Sequence, residues 1–211
     1  DVTTDVIIEQ DGEGTDQVDA SVSHTLAGEV ERLTLTGSAD IDGTGNTLAN
    51  VITGNDGANV LTGGGGIDTL LGGAGDDRLV LDNAAAIATA DGGDGTDWLR
   101  LSAPGLGIDL SSLLGRASNI EGLRLSNGSD DLTLSLDALS VAGLTDADHD
   151  LQVVLDNGDV LAIAGTYLET GRNTDVDGHE TVDYALYSGS DTLVPPTALL
   201  HVQWLAAGSP G

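Results

Sequence analysis

The chain has 211 residues, a length that suits one large domain or two small ones. Its formal net charge is −29, from 35 acidic residues against 6 basic ones, all of them arginine, so its surface repels nucleic acid and anionic membrane and both are discounted as partners. There is no Cys, which excludes a disulfide framework, and no run of about eighteen apolar residues offers a segment for membrane insertion.

An acidic chain with 2 % aromatic residues has a composition that favours disorder. Against that, hydrophobic residues reach 39 % and recur at fixed spacing. Without disulfides, metal is the candidate staple for the fold. The N-terminus carries no basic-then-apolar leader, and the chain opens mid-pattern, which suggests a piece of a longer protein.

In chain order, Asp11-Gly-Glu-Gly-Thr-Asp16-Gln-Val18 is a first glycine-bearing block. Residues 21–26 alternate and predict a strand, and residues 30–35 a second. From Gly45 the pattern becomes regular. Gly45-Asn-Thr-Leu-Ala-Asn50-Val-Ile52-Thr leads into Gly54-Asn-Asp-Gly-Ala-Asn59-Val-Leu61-Thr, Gly63-Gly-Gly-Gly-Ile-Asp68-Thr-Leu70-Leu and Gly72-Gly-Ala-Gly-Asp-Asp77-Arg-Leu79-Val. Residues 81–91 form an off-length block without the glycine turn, read as a calcium-free half-turn, with a short Ala-rich helix as its alternative. Gly92-Gly-Asp-Gly-Thr-Asp97-Trp-Leu99-Arg then restores the pattern.

The four blocks that start at Gly54, Gly63, Gly72 and Gly92 have Gly in the first and fourth places, Asp or Asn in the sixth and an aliphatic residue in the eighth. Glycines allow tight turns through positive φ and leave carbonyl oxygens pointing outward. The sixth place adds a side-chain oxygen, and such hard oxygen donors are what calcium takes. The last three places make a short strand whose eighth-place side chain points inward. The blocks resemble the calcium-binding nonapeptide repeat of RTX proteins, a resemblance which implies that two blocks make one turn of a flattened coil, so that Asn59 stacks near Asp77 and Asp77 near Asp97 on one edge, with Asn50 near Asp68 on the other. An ion between stacked turns bridges each pair. The second edge loses its next partner at the irregular block, which predicts strong binding at the Asp77–Asp97 pair and weaker binding at the Asn-bearing turns. Crowded carboxylates repel one another, so divalent ions that relieve the repulsion couple binding to folding.

From about residue 102 the period breaks. Residues 119–125 and 132–136 predict strands, and residues 137–141 a helical turn. Residues 151–155 and 160–163 flank Asn157-Gly158 and predict a β-hairpin. Residues 181–187 predict a strand turning at 188–191, and residues 199–205 a last strand after Pro195-Pro196. Residues 206–211 are expected to be a loose tail. A repeat stack exposes an apolar end unless something caps it, and residues 102–205 stand where a C-terminal cap is needed.

The tandem blocks resemble the RTX family of calcium-binding nonapeptide repeats, found in bacterial proteins exported by type I secretion. The run from Val30-Glu-Arg-Leu-Thr-Leu-Thr-Gly37 through Gly43-Thr-Gly-Asn-Thr-Leu-Ala-Asn-Val-Ile-Thr-Gly-Asn55 is similar to the arrays of large RTX surface proteins and adhesins. Asn119-Ile-Glu121, Leu132-Thr-Leu-Ser-Leu136 and Tyr184-Ala-Leu-Tyr-Ser188 resemble the β cap that follows such arrays. The resemblance implies an all-β fold: a parallel β-roll over residues 1–101, a β-rich cap over 102–205 and a tail over 206–211. It implies several bound Ca2+ ions, a chain unfolded inside the cell, and folding after export, as part of an extracellular adhesin whose partner is a cell-surface or matrix component. Its metal ligands are the side chains of Asp16, Asn50, Asn59, Asp68, Asp77 and Asp97, with backbone carbonyls of Gly64, Gly66, Gly73, Gly75, Gly93 and Gly95 as further donors. Arg32 stands where a smaller polar residue is usual, which counts against a site on its turn.

Enzyme signatures are missing from the sequence. An RTX protease needs His-Glu-x-x-His, but His179-Glu180 is followed by Asp183 at the last place, and the Gly-x-Ser-x-Gly of a lipase is not found. His24, His149, His179 and His201 are scattered. Asp146-Ala-Asp148-His-Asp150 and Asn173-Thr-Asp175-Val-Asp177-Gly178 begin like EF-hand loops but lack the closing Glu, so both read as solvated turns. Trp98 and Trp204 lie in strand patterns and read as core or cap-interface residues, with sugar stacking as the alternative. The expected function is a non-catalytic calcium-binding structural module. Its rivals are an accessory module of a secreted enzyme and a self-assembling surface-layer or matrix protein.

Overall fold

The computed structural model describes residues 14–81, 87–101, 108–125, 133–146, 150–155, 159–174, 180–187, 196 and 198–205. The chain divides into two compact units, Asp1–Arg100 and Leu101–Gly211.

Among the described residues the first unit has ten short strands: β1 (Gln17–Ala20), β2 (His24–Thr25), β3 (Arg32–Leu35), β4 (Gly43–Thr44), β5 (Val51–Thr53), β6 (Val60–Thr62), β7 (Asp68–Ala74), β8 (Arg78–Leu81), β9 (Ile87–Asp94) and β10 (Trp98–Leu101). Odd-numbered strands lie side by side in one sheet, in the order β1-β3-β5-β7-β9, and even-numbered strands in another, β2-β4-β6-β8-β10. The chain therefore crosses from sheet to sheet at every block and completes a turn every second block. Pairing is parallel, and Val51 faces Thr69 while Val60 faces Arg78, so equivalent residues lie eighteen apart. This is a β-roll.

Eighth-place side chains make the core. Leu33, Ile52, Leu61, Leu70, Leu79 and Leu99 are buried between the two sheets, each flanked in its strand by exposed or partly exposed neighbours. Full burial of one such side chain contributes about 1.5–3 kcal/mol. The strands are too short to hold alone, so stability rests on each turn covering the next. The irregular block adds residues that the ladder absorbs by a register shift. Asp68 faces Ile87 but Thr69 faces Thr89, so Ala88 is bulged out. Residues 82–86, where half-turn and helix compete, lie outside the described residues; from Ile87 the block is strand. The strand expected over 21–26 shrinks to His24–Thr25.

The second unit contains β11 (Ile108–Asp109), a 3-10 turn (Leu110–Leu113), β12 (Ala117–Ser118), β13 (Gly122–Leu125), β14 (Thr133–Leu136), α1 (Ala138–Leu144), β15 (Asp150–Leu155), β16 (Val160–Ile163), β17 (Thr166–Thr174), β18 (Glu180–Tyr187) and β19 (Ala198–Trp204). α1 is longer than the single turn expected. Asp137 caps it, its carboxylate accepting from the Ser140 N–H at 2.8 Å and the Ser140 hydroxyl at 2.7 Å, bonds that hold the carboxyl below its usual range.

The β-hairpin expected over 151–163 does not form. β15 pairs parallel with β13 and β19, whereas β16 pairs parallel with β14 in a separate sheet, β11-β14-β16. The apolar run of β15 buries Leu151, Val153, Val154 and Leu155. Such a run suits a strand covered on both faces inside a parallel sheet, and that burial overrides the local turn signal. Asn157-Gly158 itself lies outside the described residues, as do much of the two Asp-rich loops, the turn at 188–191 and the tail 206–211. Antiparallel pairing appears later, where β18 lies between β17 and β19.

Candidate metal centre

The turns that link the strands of the roll stack into two edges. On one, backbone N–H groups and sixth-place oxygens form a ladder: Asn59 N–H donates to Asp77 Oδ1 at 2.8 Å and Asp77 N–H to Asp97 Oδ1 at 2.8 Å. On the other, Asn50 N–H donates to Asp68 Oδ1 at 2.9 Å. The pairs expected from eighteen-residue spacing are thus brought together, and the next partner of Asp68 is Ile87, a residue without a donor oxygen in its side chain. Asp16 sits two turns before Asn50 on the same edge, with Glu31 on the turn between them. Its N–H donates to the carboxylate of Glu31 at 2.9 Å, so Glu31, rather than Arg32, occupies the sixth-place position of that turn.

The glycines of the C-terminal turns fix this geometry. Gly64, Gly66, Gly73, Gly75, Gly93 and Gly95 all take positive φ, between +82° and +146°. At Gly73 (φ +112°) an added Cβ would lie 2.5 Å from the Asn55 carbonyl oxygen of the neighbouring turn, and at Gly75 one would lie 3.0 Å from the Gly57 carbonyl. Only bare backbone lets the turns approach so closely.

Asp77 shows what the ladder leaves over. Its carboxylate is 1 % exposed, its Oδ1 accepts from Asn59, and its Oδ2 meets no hydrogen-bond donor. Burial pushes its pKa up to about 6, with the Asn59 N–H opposing and the neighbouring Asp76 charge adding to the rise. Burying a carboxylate oxygen without a partner is costly, so the site is incomplete as protein alone. Asp68 and Asp97 are equally buried. Among the described residues no group of three or more His, Cys, Asp or Glu side chains is arranged to hold a metal ion. An ion here would draw on one carboxylate and the carbonyl oxygens of the adjoining turns. That donor set, all oxygen and partly neutral, fits a hard cation such as calcium.

The sixth-place asparagines behave differently. Asn50 Oδ1 accepts from Asn46 N–H at 2.8 Å, and its amide donates to the Val30 carbonyl at 3.1 Å. Asn59 Oδ1 accepts from Asn55 N–H at 2.9 Å, and its amide donates to the Ile41 carbonyl at 2.7 Å. Asn46 and Asn55, in the second place of their blocks, were not among the residues the sequence singled out. Their signal is that both accompany Asn in the sixth place, whereas the Asp-bearing blocks have Gly64, Gly73 and Gly93 there.

The sequence also gave no hint of a cluster in the second unit. The His201 ring lies between two carboxylates, with Nδ1 2.6 Å from Asp183 Oδ1 and Nε2 3.0 Å from Asp150 Oδ1. These three residues pin β15, β18 and β19 together. Trp204 pairs across to Glu180 within the same sheet, and both it and Trp98 are partly exposed rather than core residues.

Residues 44–82 match the family model of the RTX calcium-binding nonapeptide repeat, in four copies. No curated protein and no solved structure matches the chain.

Proposed function

Residues 44–82 being an RTX calcium-binding array, we propose that the chain is a non-catalytic module of an extracellular bacterial adhesin that folds when it meets calcium outside the cell. The observation that carries the reading is the buried Asp77 carboxylate, whose Oδ2 has no donor, set in a ladder of oxygen-rich turns. Calcium supplies the missing positive charge when bound. The chain supplies the rest: sixth-place carboxylates held in place by the N–H groups of the preceding turn, and glycines that keep side chains out of the space between turns. Because an unfolded chain has no such site, binding free energy becomes folding free energy. Extracellular calcium modules bind at about 10⁻⁴–10⁻³ M, which leaves such a chain empty at cytosolic calcium and loaded outside. The adhesin setting rests on the likeness of residues 30–55 and of the C-terminal strands to large surface proteins of this family, and type I export follows from the same likeness.

The test is far-UV circular dichroism of the chain in EGTA, then through a calcium titration. β structure is expected to grow with calcium, and a spectrum unchanged from EGTA to millimolar calcium would overturn the reading. For the adhesive role, the calcium-loaded chain is expected to retain binding to host or matrix surfaces that is lost in EGTA.

A further inference from the structure

The stacked turns of the roll fall into two chemical kinds. In blocks 45–53 and 54–62 the second and sixth places are both Asn; in blocks 63–71, 72–80 and 92–100 they are Gly and Asp. In the first kind, each side-chain amide faces the preceding turn and donates to its backbone carbonyls. Asn46 donates to Ala27 O at 2.6 Å and Val30 O at 2.7 Å, and Asn50 to Val30 O at 3.1 Å. Asn55 donates to Thr36 O at 3.3 Å and Ala39 O at 3.0 Å, and Asn59 to Ile41 O at 2.7 Å.

The oxygens of these side chains are used as well. Asn46 Oδ1 accepts from Leu48 N–H, Asn50 Oδ1 from Asn46 N–H, Asn55 Oδ1 from Gly57 N–H and Asn59 Oδ1 from Asn55 N–H. The network fixes which amide atom is which: backbone N–H groups demand an oxygen, and carbonyls demand an N–H. In the second kind of turn, the second place has no side chain and the sixth-place atom corresponding to the amide nitrogen is an oxygen. At Asp77 that oxygen is buried without a donor.

We propose that the turns bearing Asn46, Asn50, Asn55 and Asn59 are closed by their own amides and take no calcium, so that the ions are confined to the turns closed by Asp68, Asp77 and Asp97. An amide N–H directed at carbonyl oxygens does for these turns what a cation does for the others. A cation placed in either turn would have to displace two amides from three backbone carbonyls, those of Ala27, Val30 and Glu31 in one turn and of Thr36, Ala39 and Ile41 in the other, and would face their N–H groups. The inference rests on the calcium reading above, and it deepens that reading by dividing the roll into a metal-independent N-terminal part and a metal-dependent C-terminal part.

Crystals of the full chain grown in calcium, with anomalous diffraction collected at long wavelength, test both. Calcium peaks are expected beside the Asp68, Asp77 and Asp97 carboxylates, with none between residues 27–31 and 46–50 or between 36–42 and 55–59. A peak in either of those two intervals overturns the proposal while leaving the calcium reading intact; peaks nowhere overturn both. In solution, equilibrium dialysis should give Asn50→Ala the same number of bound ions as the parent chain and Asp77→Ala at least one fewer. A lower count for folded Asn50→Ala also overturns the proposal.

Discussion

At the residue scale, Asp77 concentrates the behaviour of the roll. Its carboxylate is needed by the Asn59 N–H on one side and buried against bare backbone on the other. Asp77→Ala should raise the calcium concentration at the folding midpoint more than Asn50→Ala, which weakens the fold without removing an ion. The Asn50 loss should be about 1–3 kcal/mol, since it strands a buried backbone N–H and a carbonyl. Calcium titrations followed by circular dichroism, paired with denaturant unfolding, separate the two; equal shifts in midpoint would contradict the difference. Protonation provides a second handle. In the metal-free chain Asp77 titrates at about 6 when folded, against an ordinary value of 3.8. The folded state therefore holds a proton that the unfolded state has lost, and stability falls as pH rises from about 4 to 6 by linkage. With calcium stripped beforehand on a chelating resin, far-UV circular dichroism should show more β structure at pH 5 than at pH 7, and Asp77→Asn should flatten part of that dependence.

At the scale of single elements, burial governs. Leu79 in β8 is fully buried, and Leu79→Ala should cost about 2–5 kcal/mol. Ile67, in the fifth place of its block and 58 % exposed, should tolerate Ala within about 0.5 kcal/mol. Denaturant unfolding in saturating calcium measures both. The contrast was legible beforehand, because a nine-residue period assigns each place one environment. The paired sixth-place residues were legible for the same reason. What sequence reasoning missed was non-local. β17 presents a mostly exposed face and lacks the alternating apolar signal, so it went unseen. The Asn-Gly dipeptide argued for a hairpin, yet burial of Leu151 and Leu155 took β15 into a parallel sheet. His201 meets Asp150 and Asp183 only because β15 and β18 flank β19. The amide role of Asn46 and Asn55 depends on carbonyls sixteen to nineteen residues away.

At the scale of the whole molecule, the chain puts a net charge of −29 onto two compact units without a single disulfide. Self-repulsion of that size destabilises any compact state. The roll meets it with a leucine-rich core, and in the function proposed above cations would neutralise the carboxylates of its turns. Repeats of this kind gain stability mainly from contact with their neighbours, so the number of satisfied turns, rather than any one residue, sets how firmly the roll holds.

The eighteen-residue stacking also makes the roll a graduated tether. Pulled from its ends, such a coil releases chain a turn at a time, each turn freeing about 60 Å at the 3.3–3.6 Å that an extended residue spans. Optical-tweezer traces in calcium should show steps of that length. The turns closed by Asp68, Asp77 and Asp97 should yield at higher load than those closed by amides, and chelation should lower only the former. A surface anchor built this way would stretch in increments under shear instead of parting at once, with its stiffness set by the calcium around it.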